Sequence, residues 1–279
     1  LTIVSANWSR ISECSKSVME ILQTYGPVEK MSVDEAYVDL SEFEMAETIA
    51  DEIRKTVKEK TGLPCSVGLA TSKLVAKVAS DFDKPEGFTV VLPGTEAAFL
   101  APMPTRAIHG IGPKSAERLQ ALGIETCAQL ASAEPAKLQP YFKNQTDSLI
   151  RRAQGIDRRK VSSESGPSKS ISQEWTFSQD ISDQQELEGM LQRMCAKVAS
   201  SVQKQALLAH TVTIKLRWSD FSTITRQKSM DVGIDQEEDI YRLAHAIWME
   251  NWQNGRPVRL LGVGVSNLQK PSMRQMPLF

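Results

Sequence analysis

Apolar positions Ile11, Val18, Ile21, Leu22 and Tyr25 recur near helical spacing, which predicts a helix over 7–25 stopped by Gly26-Pro27. Met31 to Leu40 reads as a strand with Asp34 and Glu35 inside it. Ile49, Ala50, Ile53 and Val57 mark a second amphipathic helix ending at Thr61-Gly62. A β-rich run, Cys65 to Ala70, leads into a helix from Lys73 to Ser80, then a turn at Lys84-Pro85-Glu86-Gly87 and a strand from Phe88 to Leu92. Alternating helices and strands predict an α/β segment. From about Ala101 the pattern changes to short helices separated by Gly and Pro. Ser162 to Ser170 is a polar linker containing Gly166-Pro167. Beyond it the order is strand, helix, strand, strand, helix, strand. The first of these helices buries Leu187, Met190, Leu191, Met194, Val198 and Val202, and the second Ile240, Leu243, Ala244, Ile247 and Trp248. In the strand 211–218, Val212, Ile214, Leu216 and Trp218 alternate with Thr211, Thr213, Lys215 and Arg217. This βαββαβ order is the ferredoxin-like arrangement, so the whole reads as a multidomain α+β chain.

Composition narrows the class. Apolar residues make up 41% of the 279, which excludes a mainly disordered chain, and no apolar run reaches the length of a membrane span. No basic-then-apolar leader is visible, and the sequence begins at Leu1 as if in mid-protein. Cys14, Cys65, Cys127 and Cys195 are scattered singly, which argues against a zinc site and fits a reducing cytoplasm. The net charge of −1 hides a division: residues 1–100 carry −6, residues 101–170 carry +5 and the remainder is neutral. A basic middle segment suits a polyanionic partner.

Five places could carry chemistry. Asp34-Glu35, flanked by Val33 and Ala36-Tyr37-Val38, is either a solvated acidic pair or a pair of hard oxygen donors for a cation such as Mg²⁺. Lys73 and Lys77, one turn apart after the Thr71-Ser72 cap, and Lys84 beyond the helix suit phosphate binding or are ordinary surface. Gly110-Ile111-Gly112-Pro113-Lys114 has the form of a helix-hairpin-helix turn, whose backbone N–H groups can grip a DNA phosphate without reading bases; a purely structural turn is the alternative. Ser115 stands where a dinucleotide fingerprint needs a third Gly. In the last domain Lys215, Arg217, Arg226 and Lys228 make the sheet side basic, a face that can lie along phosphates while the acidic helices face water; simple surface alternation is the alternative. The chain ends Gln275-Met276-Pro277-Leu278-Phe279, apolar residues that a partner pocket could receive.

Taken together, Ser32-Val33-Asp34-Glu35-Ala36-Tyr37, Ser72-Lys73 with Ala76-Lys77-Val78-Ala79-Ser80, Lys84-Pro85, Gly110-Ile111-Gly112, Thr176-Phe177 with Asp180-Ile181, and Trp218-Ser219-Asp220-Phe221 with Thr223-Ile224-Thr225-Arg226 resemble the Y-family DNA polymerases of the DNA polymerase IV (DinB-type) branch. The resemblance spans nearly the whole chain. It implies a partial palm over 1–98, a thumb with the helix-hairpin-helix over 99–161, a linker over 162–170, a little finger over 171–268 and a tail over 269–279. It implies template-directed nucleotide addition of low fidelity past damaged template positions, by a monomer acting on primer-template DNA and deoxynucleoside triphosphates. Asp34 and Glu35 would be the catalytic Mg²⁺ ligands of a two-metal site, and Lys84 would contact the triphosphate. Gly110, Gly112, Lys114, Lys215, Arg217, Thr225 and Arg226 would hold DNA; Gln275, Met276, Leu278 and Phe279 would dock on the bacterial sliding clamp.

One departure bears on activity. The family places a strand with another metal-binding aspartate, a steric-gate aromatic and a fingers domain ahead of the helix at 7–25, and the sequence as given contains none of them. The expectation is therefore that the 279 residues as given are inactive, an N-terminally truncated form of an active, intact protein that carries those parts. The rival readings are a non-catalytic module that binds DNA and the clamp, a helix-hairpin-helix nuclease or glycosylase, and a structural oligomer.

Overall fold

A computed structural model of the chain describes residues 4–164 and 166–271. Two compact units meet between residues 165 and 166.

The first unit begins with α1 (Trp8–Gln23), whose first turn is capped by the Asn7 side chain accepting from the Arg10 N–H. Of the strand expected over 31–40 only β2 (Ala36–Val38) is extended; it pairs antiparallel with β1 (Val28–Lys30), a strand not expected from the sequence, with Val28 opposite Val38. Asp34 and Glu35 lie in the connection between them, not inside a strand. The Met31 and Ser32 N–H groups both donate to the Glu35 carbonyl, which closes that connection. Next comes α2 (Ala46–Thr61), terminated by Gly62 in the left-handed region at φ 71°. β3 (Val67–Leu69) and β4 (Phe88–Val90) are parallel and are joined by α3 (Lys73–Phe82), a βαβ crossover. Ser72 caps α3 by accepting from Val75 N–H.

Five further helices follow: α4 (Glu96–Leu100), α5 (Pro113–Ala121), α6 (Cys127–Ala131), α7 (Pro135–Phe142) and α8 (Thr146–Ala153). Thr126 and Gln129 form a reciprocal capping box on α6. Leu74, Val75, Val78 and Ala79 of α3 share one core with Leu100, Ile108, Leu119, Leu130 and Leu138. The change of pattern near Ala101 is thus a change of secondary structure and not a break in the core. α1, α2 and the sheets close a separate core around Met19, Leu22, Ala50, Ile53 and Val57.

The second unit runs β5 (Ser170–Ile181), α9 (Gln184–Lys204), β6 (Leu208–Trp218), β7 (Thr223–Ile234), α10 (Glu237–Asn251) and β8 (Val258–Gln269). The element order is the expected βαββαβ. Its lateral order is β5-β8-β6-β7 with every neighbouring pair antiparallel, which puts the last strand inside the sheet. Both helices contribute to one core with the sheet: Leu187, Leu191, Val198 and Val202 of α9 and Ile240 and Trp248 of α10 meet Val212, Ile214, Leu216, Leu261, Val263 and Val265. Full burial of each large aliphatic side chain contributes about 1.5–3 kcal/mol.

Candidate active site and nucleic-acid interface

The β1–β2 connection carries the acidic pair. The Asp34 side chain is exposed, and its Oδ1 accepts from the Ser32 hydroxyl at 2.6 Å. Glu35 Oε1 accepts from Lys77 Nζ at 2.7 Å. Lys77 also reaches Asp81 at 2.7 Å, and Asp81 is paired with Lys84 at 2.6 Å. Glu35, Lys77, Asp81 and Lys84 therefore form one continuous chain of alternating charge along α3. Burial would lower the Lys77 pKa, but hydrogen bonds and charge from Asp81 and Glu35 outweigh it and hold the ammonium above its ordinary value. Lys73 takes no part in this chain. It is only 8% exposed and is fully engaged by Glu29, so the phosphate-binding role considered for it is closed by its surroundings.

The acidic pair can be tested for fit to a divalent ion. It offers hard oxygen donors, and Asp34 Oδ2 and Glu35 Oε2 have no protein partner among the described residues. Mg²⁺ is commonly held by one or two carboxylates plus substrate phosphates, without an all-protein cage. Among the described residues no cluster of three or more His, Cys, Asp or Glu forms such a cage. The pair fits an ion shared with a phosphate ligand.

The hairpin turn is built on Gly110 at φ 92°, a conformation that side chains disfavour. Gly112 caps α5, with Pro113 in its first turn. Ile111 N–H is spent on Ile108 O, and Ser115 and Ala116 N–H on Gly112 O. The N–H groups of Gly110, Gly112 and Lys114 have no protein acceptor among the described residues, and Lys114 is exposed beside them. Sequence reasoning missed Arg152. Its guanidinium lies 3.2 Å from where a Cβ on Gly110 would stand, and burial pushes its pKa below the ordinary value.

In the second unit the register corrects the expectation of one basic sheet face. Lys215 faces Thr225 and Arg217 faces Thr223, on the face without helices. Arg226 lies opposite Ile214 and Lys228 opposite Val212, whose side chains are in the core, so these two project to the helix side. Lys215 is also not free: it pairs with Glu174 at 2.7 Å across Gly262, where a Cβ would come within 2.8 Å of the Glu174 side chain. Arg217 donates to the Thr223 hydroxyl at 2.8 Å. The feature that sequence reasoning missed is the edge. Among the described residues β7 has a partner on one side only, and Thr225, Arg226, Gln227, Lys228 and Ser229 are all exposed. Basic side chains thus flank an unpaired strand edge on both faces. The tail residues Gln275, Met276, Leu278 and Phe279 lie outside the described residues.

Comparison with known proteins places this geometry. The impB/mucB/samB family matches residues 1–81, its helix-hairpin-helix motif matches 93–124 and its C-terminal domain matches 168–278. DNA polymerase IV of Halorhodospira halophila is 41% identical over 256 residues, covering 90% of this chain and 71% of that protein. DNA polymerase IV of Bacillus anthracis is 34% identical over 286 residues, covering 100% and 69%. Among solved structures, a Y-family DNA polymerase chimera of Dbh and Dpo4 matches with a TM-score of 0.82 at 24% identity, covering 96% of this chain and 79% of that one. DinB from Sulfolobus solfataricus matches with a TM-score of 0.58, also at 24% identity, covering 96% and 80%. The structural matches establish the fold and the sequence matches the family: the chain belongs to the DNA polymerase IV family of Y-family DNA-directed DNA polymerases.

Proposed function

We propose that Asp34 and Glu35 sit at the reaction centre for template-directed nucleotide addition, and that Lys84 receives the triphosphate of the incoming deoxynucleotide. The observation that carries this reading is the charge chain Glu35–Lys77–Asp81–Lys84, which links the carboxylate turn to the lysine beyond α3 in one packed unit. Lys77 orients Glu35 and leaves its second oxygen open. Asp81 holds Lys84 until an anion competes for it. Asp34 and Glu35 would hold a divalent ion, Mg²⁺ in our reading, which would supply charge neutralisation for phosphoryl transfer. The in-line displacement forms a bond from the primer 3′-oxygen to the α-phosphorus, breaks the bond from that phosphorus to the α,β-bridging oxygen and releases pyrophosphate, while the 3′-hydroxyl proton passes to solvent.

The same proposal gives DNA holding to two elements. The free N–H groups of Gly110 and Gly112, with Lys114, suit a phosphodiester at the hairpin. The β7 edge, with Arg226 and Lys228 on one side and Thr225, Arg217 and Lys215 on the other, suits a second run of backbone phosphates. Such contacts hold a duplex irrespective of sequence, as addition past distorted template positions requires. No helix among the described residues is long and apolar enough to cross a membrane, and all four cysteines are unpaired. We place the protein in the cytoplasm because its relatives are DNA polymerases, which work where the DNA is.

Salt-dependent binding tests the DNA assignment. The logarithm of affinity for a primer-template falls linearly with the logarithm of salt concentration, by about 0.9 per phosphate neutralised. Arg226→Gln with Lys228→Gln is expected to reduce that slope by about 2 and weaken binding on all sequences alike. Lys215→Gln should change it less, because Glu174 already neutralises that ammonium. An unchanged slope in the double variant would remove β7 from the interface.

The tail is assigned to the sliding clamp on its resemblance to the clamp-docking pentapeptide. Leu278 and Phe279 would fill an apolar pocket, Met276 would line its approach and Gln275 would hydrogen-bond at its rim. Deleting 275–279 is expected to abolish clamp capture in a pull-down and leave primer-template affinity unchanged. An equal fall in DNA affinity would show that the tail contacts DNA instead.

A further inference from the structure

A second charged cluster lies outside the proposed reaction centre. Lys73, the first residue of α3, places Nζ 2.7 and 2.6 Å from the two Glu29 carboxylate oxygens and 5.4 Å from the centre of the Tyr37 ring. Its side chain is 8% exposed and that of Glu29 is 21% exposed. Glu29 Oε2 accepts a third bond, from the backbone N–H of Ser162, at 2.9 Å. Burial alone would raise the Glu29 pKa. The bonds from Lys73 and Ser162 outweigh it and hold the carboxyl below its ordinary value.

Ser162 follows the basic run Arg158-Arg159-Lys160, whose side chains are exposed. The same run is fixed at its other end. Asp157, with a side chain 6% exposed, accepts from the Leu74 N–H at 3.2 Å at the start of α3 and pairs with Arg159 at 2.8 Å. The chain leaving α8 is therefore bound to α3 and β1 at two points. The stretch not held by these bonds, before β5 begins at Ser170, is 163–169 and not 154–169.

We propose that Glu29 and Lys73 are positioning residues: as an ion pair built on a buried ammonium they anchor Ser162 and shorten the tether from the α/β unit to the little finger. A shorter tether raises the effective concentration of the second DNA-binding unit at a duplex already held by the first. Neither residue touches the reacting atoms. This rests on the reading that both units grip the same DNA, and the experiment separates the two claims.

The test uses the intact protein with Glu29→Leu and Lys73→Met together. This removes both charges at roughly constant volume, a replacement that buried pairs tolerate, while Ser162 loses its acceptor. Ser162→Pro, which removes the donor and leaves the Glu29–Lys73 pair in place, is the second variant. Under limited trypsin without DNA, cleavage within 158–160 should accelerate about tenfold or more in both variants, because proteolysis follows the population of the opened segment. In steady-state primer extension KM for primer-template should rise about twofold with kcat unchanged, the cost of a longer tether. Wild-type resistance to trypsin in both variants would overturn the anchor. Faster cleavage with unchanged KM would overturn the tether role. A wild-type protein that binds no primer-template would fail the functional reading while the trypsin result still judged the anchor.

Discussion

Glu35→Gln in the intact protein is expected to slow nucleotide addition about 10³-fold, equivalent to about 4 kcal/mol of transition-state stabilisation. Its affinity for primer-template should hold or rise slightly. The asymmetry follows from the surroundings of the side chain. Glutamine keeps a carbonyl oxygen for Lys77, and Lys77 keeps Asp81, so α3 and the β1–β2 connection stay in place. What disappears is one negative charge and one anionic oxygen beside Asp34. Deleting a negative charge near a polyanion does not weaken binding, whereas it removes charge on which phosphoryl transfer depends. Rapid-quench incorporation measures the first quantity and an equilibrium titration the second. A parallel fall in both would mean that Glu35 holds the fold or the DNA and not the reaction.

Gly68→Ala is expected to have the second-largest effect, on stability. A Cβ at position 68 would stand 2.2 Å from the Ala76 carbonyl oxygen, 2.3 Å from the Ser80 nitrogen and 2.8 Å from the Ala79 carbonyl carbon. All three are backbone atoms of α3, so no side chain can swing aside. The helix must lift from β3, and it carries Lys73, Lys77 and the buried Leu74, Val75 and Val78. Overpacking against a flexible neighbour costs about 1–3 kcal/mol; against rigid backbone about 3 kcal/mol or more is expected. In a thermal scan the transition of the first unit should fall by roughly 10 °C and that of the second should stay. Gly62→Ala provides the contrast. Gly62 has φ 71° but nothing within 4 Å of the added atom, so only the left-handed backbone is strained, at about 1 kcal/mol. Equal shifts for the two substitutions would contradict the close approach of α3 to β3.

The two halves of the fold were not equally legible. In the second unit, alternation along 211–218 and long amphipathic helices named β6, α9 and α10, because each buries one regular face. Lateral strand order was not legible, since β5-β8-β6-β7 depends on contacts between residues far apart in the sequence. The faces of Arg226 and Lys228 were missed for a related reason: composition says that β7 is basic, and only its register against Ile214 and Val212 says which way each residue points. In the first unit the apolar run 31–40 concealed a break. Val33 is 36% exposed, so the run did not mark continuous burial, and Asp34 and Glu35 occupy a connection where adjacent side chains need not point apart. The candidate residues Asp34, Glu35 and Lys84 could be named from their motifs. Lys77 and Asp81 as the bridge between them, and the diversion of Lys73 to Glu29, required helix α3 to be seen against the β1–β2 pair.

Template-directed incorporation of a single nucleotide by the intact protein tests the central claim most directly. A primer-template is supplied with Mg²⁺ and each deoxynucleoside triphosphate in turn. The account predicts preferential addition of the nucleotide complementary to the template base, and loss of addition in Asp34→Ala with primer-template still bound. Wild-type protein that binds the duplex and adds nothing, or Asp34→Ala that adds at the wild-type rate, would contradict it.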